Sequence, residues 1–272
     1  MKTWKTDNQL REEWSQMKSW IRRFVTQNGF KKVILGLSGG FDSGFLAFTA
    51  AQEDCLGKEN VIAVSMPCNS THDSRVDAEE LANKLGIEFF VDPIGVEVYG
   101  RAEHINAQRN GALALPKMNP TEIGNIKARM RMVTLYGYAP AFNALVMNTS
   151  NYSEAMAGNG TKYGDITGDF APILGYTKTT LYRMANAVGF DKVSPAIFNK
   201  VPTADLEPNQ TDEGTMGVTY EKLDAFIEGV DTDDAGKYIE IDEDTTKRIC
   251  ALIKKSWHKR KTNFPEKMRN AM

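Results

Sequence analysis

The chain has 272 residues, 42% of them hydrophobic, and a formal net charge of −2. That length can bury a full core as one domain, or as one domain with an appendage. The near-neutral charge argues against a nucleic-acid-coating protein, and no apolar run approaches membrane-spanning length. Met1-Lys2-Thr3-Trp4 lacks the charged-then-apolar layout of a signal peptide. Cys55, Cys68 and Cys250 are isolated and far from any C-x-x-C spacing, so they read as packing residues suited to a reducing cytoplasm.

Leu10, Trp14, Met17, Ile21, Phe24 and Val25 recur at helical spacing until Asn28-Gly29 gives a stop signal. This predicts an amphipathic helix laid on the core or on a second subunit. Residues 32–37 read as a buried strand, and a helix-like segment covers 44–51. Between them lies Gly36-Leu37-Ser38-Gly39-Gly40-Phe41-Asp42-Ser43. A strand, a glycine turn and a helix together aim backbone N–H groups and a helix N-terminus at a phosphate. Ser38 and Ser43 add hydroxyl donors, and Gly39-Gly40 admit a ligand close to the main chain. Phe41-Asp42-Ser43 offers no Walker lysine, and no frame of these glycines satisfies G-x-G-x-x-G. The plainer alternative is a glycine-lined turn with a serine cap.

Residues 61–66 form a second apolar run ended by Pro67, 74–85 a helical stretch closed by Gly86, and 87–91 a third strand. From 92 to 120 the pattern loosens into a partly helical excursion. A helix over 121–138 carries Asn125, Lys127, Arg129 and Arg131; residues 144–148 give a fourth strand, and 178–188 another helix stopped by Gly189. This alternation predicts an α/β fold, a doubly wound parallel sheet with helices on both faces. Ligands in such sheets sit at the carboxyl ends of the strands, which puts the glycine loop, residues 65–75 and residues 149–154 on one rim. The last third is less regular, with a polar loop over 202–217 and an acidic, solvated stretch over 231–244. Ile249, Leu252, Ile253 and Trp257 define a C-terminal helical segment over about 244–262, ending in Lys254, Lys255, His258, Lys259, Arg260 and Lys261.

The loop reads Ser-Gly-Gly-x-Asp-Ser and resembles the PP-loop of the ATP pyrophosphatases. Asn125-Ile126-Lys127-Ala128-Arg129-Met130-Arg131, Thr161-Lys162-Tyr163-Gly164-Asp165, Pro202-Thr203-Ala204-Asp205-Leu206, Thr211-Asp212-Glu213 and His258-Lys259-Arg260 follow in order. Together with the loop they resemble ammonia-dependent NAD synthetase over most of the chain. The resemblance implies one catalytic domain over 1–272 with a Rossmann-like, adenine nucleotide alpha-hydrolase-like fold, in the cytoplasm, acting on neither membranes nor nucleic acids. It also implies a two-step ligase reaction. ATP adenylates the nicotinate carboxylate of deamido-NAD and releases pyrophosphate, and ammonia then attacks the acyl-adenylate to give NAD. A carboxylate is a poor electrophile, and the mixed anhydride supplies AMP as a leaving group.

By the same resemblance, Gly36, Leu37, Ser38, Gly39, Gly40, Phe41, Asp42, Ser43, Thr149, Lys178 and Thr203 contact ATP. Asp42 and Glu154 are the carboxylates for Mg2+, which favours hard oxygens plus substrate phosphates. Arg129, Lys162, Asp169, His258 and Lys259 match positions that hold deamido-NAD, in a site built at a homodimer interface. Ammonia is largely protonated at neutral pH, and Asp165 is the candidate proton acceptor, or else it orients Lys162. Each residue also has a plainer reading. Glu154 would suit a helix N-terminus, Lys178 a bare surface, Thr203 a turn, and Arg129 and His258-Lys259 a solvated face.

Family members often carry Gly-Thr-Asp-His before the glutamate, and aromatic residues before Thr-Lys-Tyr-Gly-Asp. Here the residues are Asn148-Thr149-Ser150-Asn151 and Gly158-Asn159-Gly160. No cysteine has a convincing nucleophile setting and no length is spare for a glutaminase, so free ammonia or a separate donor subunit is the expected nitrogen source. The competing readings are the ATP-pyrophosphatase unit of a GMP synthetase-like enzyme and a non-catalytic nucleotide-binding regulator.

Overall fold

The computed structural model describes residues 2–68, 72–203, 211–233 and 235–260. Helix α1 (Asp7–Gln27) starts at a capping box, where the Thr6 side chain accepts Gln9 N–H and the Gln9 side chain accepts Thr6 N–H. Its buried stripe of Leu10, Met17, Ile21 and Val25 lies on the core, which decides between the two partners that the sequence left open. Strand β1 (Lys32–Gly36) leads through the glycine loop into α2 (Phe41–Ala50). Then come β2 (Val61–Ser65), α3 (His72–Leu85) and β3 (Glu88–Val91). The chain crosses the other face in α4 (Gly95–Gly111) and α5 (Pro120–Phe142) before returning in β4 (Ala144–Val146).

Among the described residues the sheet has four strands in the order β3-β2-β1-β4, all parallel. Ile34 stands opposite both Ile62 and Val146, so β1 is central and buried on both faces. One face is packed by α1, α2 and α3 through Phe45, Leu46 and Leu81, the other by α4 and α5 through Val98 and Ala139. The strand order reverses between β1 and β4, and a doubly wound sheet opens a crevice at the carboxyl ends at that point. The α/β expectation therefore holds.

Beyond β4 the chain is mostly helical: α6 (Tyr152–Ala157), α7 (Lys178–Ala187), α8 (Phe190–Val193), α9 (Pro195–Phe198), α10 (Asp212–Met216), α11 (Tyr220–Glu228) and α12 (Glu243–Arg260).

Residues 92–120 are partly helical, as expected: α4 is clamped to α5 by Arg109–Glu122 (2.6 Å), and in the link between the two helices Met118 N–H donates to Asn106 (2.7 Å). One expectation changes, since the acidic stretch is not simply solvated. Thr232 is buried and bridges Thr3 and Tyr238, and Asp231 N–H donates to Lys2 O at 2.8 Å. Residues 204–206 of the Pro202 motif and 261–262 of the C-terminal segment lie outside the described residues. Among the described residues no helix is long and apolar enough to cross a membrane.

Candidate active site

A cavity of about 480 Å³ opens at the switch point, and all of Gly36 to Ser43 line it. The loop is closed on itself. Ser43 Oγ accepts Ser38 N–H (3.3 Å) and donates to Gly40 O (3.2 Å), while Gly40 N–H donates to Ser38 Oγ (3.2 Å). Gly39 has φ +75°, and a Cβ there would sit 2.0 Å from Ser74 O, so only glycine fits. Gly40, the residue before α2, offers no capping side chain, which leaves the N–H groups of the first turn to an incoming anion. The Phe41 ring turns into the core and stacks on Tyr182 with centroids 3.8 Å apart.

Beneath the loop, Lys178 Nζ bonds to Asp42 Oδ2 and lies 3.6 Å from Glu154 Oε1. The sequence supplies this cluster from three helix starts. Asp42 lies in the first turn of α2, Glu154 in that of α6, and Lys178 opens α7. Asn151 ties two of them together: its side chain caps Glu154 N–H (2.9 Å) and donates to Asp42 Oδ1 (3.2 Å). Burial pulls the Lys178 pKa down, but Asp42 and Glu154 outweigh it and the ammonium is held charged. Burial, then the charges of Asp42 and Asp212, push Glu154 well above the usual carboxylate range against the pull of Lys178. One ammonium thus compensates one carboxylate and leaves the second ready for a further cation. The donor set fits a hard divalent ion that arrives with phosphate oxygens. Among the described residues no group of three His, Cys, Asp or Glu could hold a metal by itself.

The cavity continues past Thr149 and Thr203 to Asp165 and Lys259. Asp165 is exposed as a residue, but its carboxylate folds back to accept Thr161 N–H at 2.8 Å. Crowding by surrounding atoms raises its pKa, while its exposure leaves it open to proton exchange with water. Lys259 Nζ donates to Gly158 O and Gly160 O, both at 2.8 Å, and partial burial lowers its pKa. This explains the missing aromatics. Gly158 has φ +74°, and a Cβ there would lie 2.1 Å from that of Ser256 on α12, so α12 occupies the space that a larger side chain would need.

Arg129, Lys162, Asp169 and His258 do not line the cavity. Arg129 Nε donates to Lys162 O (3.2 Å), and Lys162 Nζ donates to His258 O (3.0 Å), so the exposed Arg129 and His258 are linked through the half-buried Lys162 beside it. Asp169 finishes the sheet edge instead. It accepts Val146 N–H (2.7 Å) and Tyr136 O–H (3.1 Å), and burial together with Asp169 pushes the Tyr136 hydroxyl up to about 12.

The family pattern described as NAD synthase matches residues 13–263. The NH(3)-dependent NAD(+) synthetase of Thermococcus sibiricus is 35% identical over 252 residues, covering 91% of this chain and 93% of that protein. The glutamine-dependent NAD(+) synthetase of Aquifex aeolicus is 42% identical over 220 residues, and the match spans 79% of this chain but 37% of that longer protein. Among solved structures, NMN synthetase from Francisella tularensis superimposes with a TM-score of 0.80 at 28% identity, covering 94% of this chain and 98% of that one. An NH3-dependent NAD synthetase from Campylobacter jejuni gives 0.73 at 26% identity, covering 96% and 99%.

The chain belongs to the NAD synthase family.

That membership favours NAD synthesis over the GMP synthetase-like and regulatory readings. Several residues lining the cavity were given no role from the sequence. Thr121, Asn125, Ala128 and Arg131 recur at helical spacing along one face of α5, and the last three stand in the quoted motif. Lys200 had no such signal. Its ammonium donates to Gly39 O (3.3 Å) of the glycine loop and to Ser74 Oγ (3.1 Å) and Asp77 Oδ2 (2.5 Å) of α3, two segments far from it in the chain. Asp212 accepts Tyr220 O–H at 2.9 Å, and the Tyr220 ring lies 5.5 Å from Lys178 Nζ.

Proposed function

We propose that this NAD synthase family member is a carbon–nitrogen ligase that amidates deamido-NAD with free ammonia at the expense of ATP. The observation that carries it is the Asp42–Lys178–Glu154 cluster beneath the glycine loop, in a cavity that runs on to Asp165 and Lys259. The loop N–H groups and Lys178 hold the ATP phosphates, with Thr149 and Thr203 alongside. The nicotinate carboxylate oxygen attacks the α-phosphorus, and pyrophosphate leaves. Fixed donors aimed at the charge that develops there supply most of the acceleration. Asp42 and Glu154 would hold Mg2+, which offsets charge on the departing pyrophosphate. Ammonia then attacks the acyl carbon and AMP leaves, with Asp165 accepting the released proton.

Arg129, Lys162 and His258 engage the acceptor from a homodimer interface. The exposed Arg129 and His258 and the half-buried Lys162 beside the cavity support this, as does the exposed Val133 on α5. Asp169 serves the acceptor indirectly, by fixing the sheet edge. Coverage of 93% of the Thermococcus enzyme supports free ammonia as the nitrogen source. Free thiols at Cys55, Cys68 and Cys250 suit the cytoplasm.

A second acceptor has a specific observation behind it. The Francisella structure is an NMN synthetase, so nicotinate mononucleotide competes with the dinucleotide as substrate. Incubation with ATP, Mg2+, ammonium and either acceptor, following pyrophosphate and amidated product, tests both. NAD formation at the higher kcat/KM supports the first reading. Faster turnover of the mononucleotide replaces it with the second, and nucleotide binding without turnover of either defeats both.

A further inference from the structure

Two carboxylates on α11 fasten the first turn of α7, at different points. Asp224 is fully buried. Its Oδ2 accepts Thr179 N–H at 2.8 Å, and its Oδ1 accepts the Ser153 hydroxyl at 2.5 Å. Ser153 Oγ in turn accepts Lys178 N–H at 2.8 Å. Glu228, one turn further along α11, accepts the hydroxyls of Thr177 and Thr180.

Either side chain would stabilise α7, because the first-turn N–H groups and hydroxyls need acceptors. Asp224 also reaches α6, through Ser153. Ser153 precedes Glu154, so the Asp224–Ser153–Lys178 run ties the backbone carrying Glu154 to the backbone carrying Lys178. The reacting ends of those two residues face each other at 3.6 Å beside Asp42. Among the described residues the Glu228 carboxylate hydrogen-bonds to the side chains of Thr177 and Thr180, not to Ser153 or to Lys178 N–H.

We infer that Asp224, acting through Ser153, is a positioning residue that sets the spacing of Glu154 and Lys178 for the adenylation step, whereas Glu228 only stabilises α7. This rests on the proposed ATP chemistry of the cavity. A misplacement of about 1 Å at reacting groups costs on the order of a hundredfold in rate, so a small relaxation of this tie is measurable.

The test compares Ser153→Ala, Asp224→Asn, their double variant and Glu228→Gln by steady-state pyrophosphate release and melting temperature. Ser153→Ala and Asp224→Asn should each lower kcat by about tenfold or more while KM for ATP stays within about threefold. The double variant should be no slower than the slower single one, because the two side chains act as a unit. Glu228→Gln should lower the melting temperature comparably yet keep kcat within about twofold. Unchanged kcat in the first two variants overturns the inference. So does an equal kcat loss in Glu228→Gln at equal melting temperature, which would mean that any weakening of α7 suffices. If Asp224→Asn does not fold, Ser153→Ala, which deletes a single oxygen, decides the matter. A wild-type protein that releases no pyrophosphate with either acceptor refutes the functional reading, and the inference falls with it.

Discussion

The side of the cavity proposed for ATP takes its groups from one loop and three helix starts, with Ser43, Asn151 and Lys178 all buried. The side proposed for the acceptor draws on Arg129, Lys162 and His258, which lie beside the cavity as exposed or half-exposed side chains from α5, the 161–165 turn and α12. In the first region the donors are fixed by packing before any ligand arrives. In the second they are held by backbone carbonyls, contacts that a ligand can exchange at little cost. The first arrangement suits charge development at phosphorus, and the second suits recognition of a large acceptor. Substitutions on the ATP side should therefore change kcat, and those on the acceptor side KM.

The largest expected effect is Asp42→Asn. It keeps the shape of the side chain and the Asn151 contact but removes the charge that pairs with Lys178. Pyrophosphate release should fall by at least about a thousandfold with the fold intact by circular dichroism. Near-normal turnover would remove Asp42 from the chemistry and erase the contrast between the two sides. Asp165→Asn should act one step later. In a quenched-flow experiment the first-turnover release of pyrophosphate should persist while amide formation slows by about a hundredfold. Equal slowing of both steps would make Asp165 a support for the 161–165 turn rather than a proton acceptor.

How far these two regions were legible in the sequence follows from the same difference. The glycine loop could be read because its residues are contiguous and its geometry is local: Gly39 must take positive φ against Ser74, and Ser38 and Ser43 bond across five positions. Lys200 and Asp224 could not be read, since each acts by bringing together segments far apart in the chain. The continuous helix α4 was obscured because few of its residues are buried, Val98 and Ala102 among them, leaving a weak apolar stripe. Asp169 shows the limit of motif matching. The position was legible, but its carboxylate closes the edge of β4 by accepting Val146 N–H.

On the acceptor side, Lys259→Met should raise KM for the acceptor by about tenfold and leave KM for ATP unchanged, because it frees the carbonyls of Gly158 and Gly160 while the phosphate loop is untouched. A matching rise in KM for ATP would show that the two regions are coupled through the 158–160 turn.

A pH experiment sharpens the burial half of the contrast. Burial first, with Glu228 adding to it, raises Asp224 from 3.8 to about 6, against the bonds from Ser153 and Thr179. Across that window the folded chain holds a proton that the unfolded chain has released. Stability contributed by Asp224 is therefore greatest below about pH 4 and declines as pH rises towards 6. The melting-temperature advantage of wild type over Asp224→Asn should shrink across the same interval. A constant difference would mean that Asp224 is as ionised in the folded protein as in the unfolded one.

The smallest effect concerns how α5 is held. Asn119 caps the helix by accepting Glu122 N–H at 2.8 Å, and Glu122 returns the bond from Asn119 N–H at 2.8 Å while pairing with Arg109 of α4. Asn119→Ala removes one of these bonds at an exposed helix end, which costs about 1 kcal/mol. Thr121, Asn125 and Arg131 line the cavity from this helix, and Arg129 leaves it for the acceptor-side contacts. Fraying of the first turn should thus reach the acceptor before it reaches ATP. The expected result is a melting temperature lower by a few degrees and an acceptor KM raised by no more than about twofold, with kcat unchanged. A loss in kcat would mean that α5 also bears on the phosphate loop, through Leu135, which lies near Gly36 on β1.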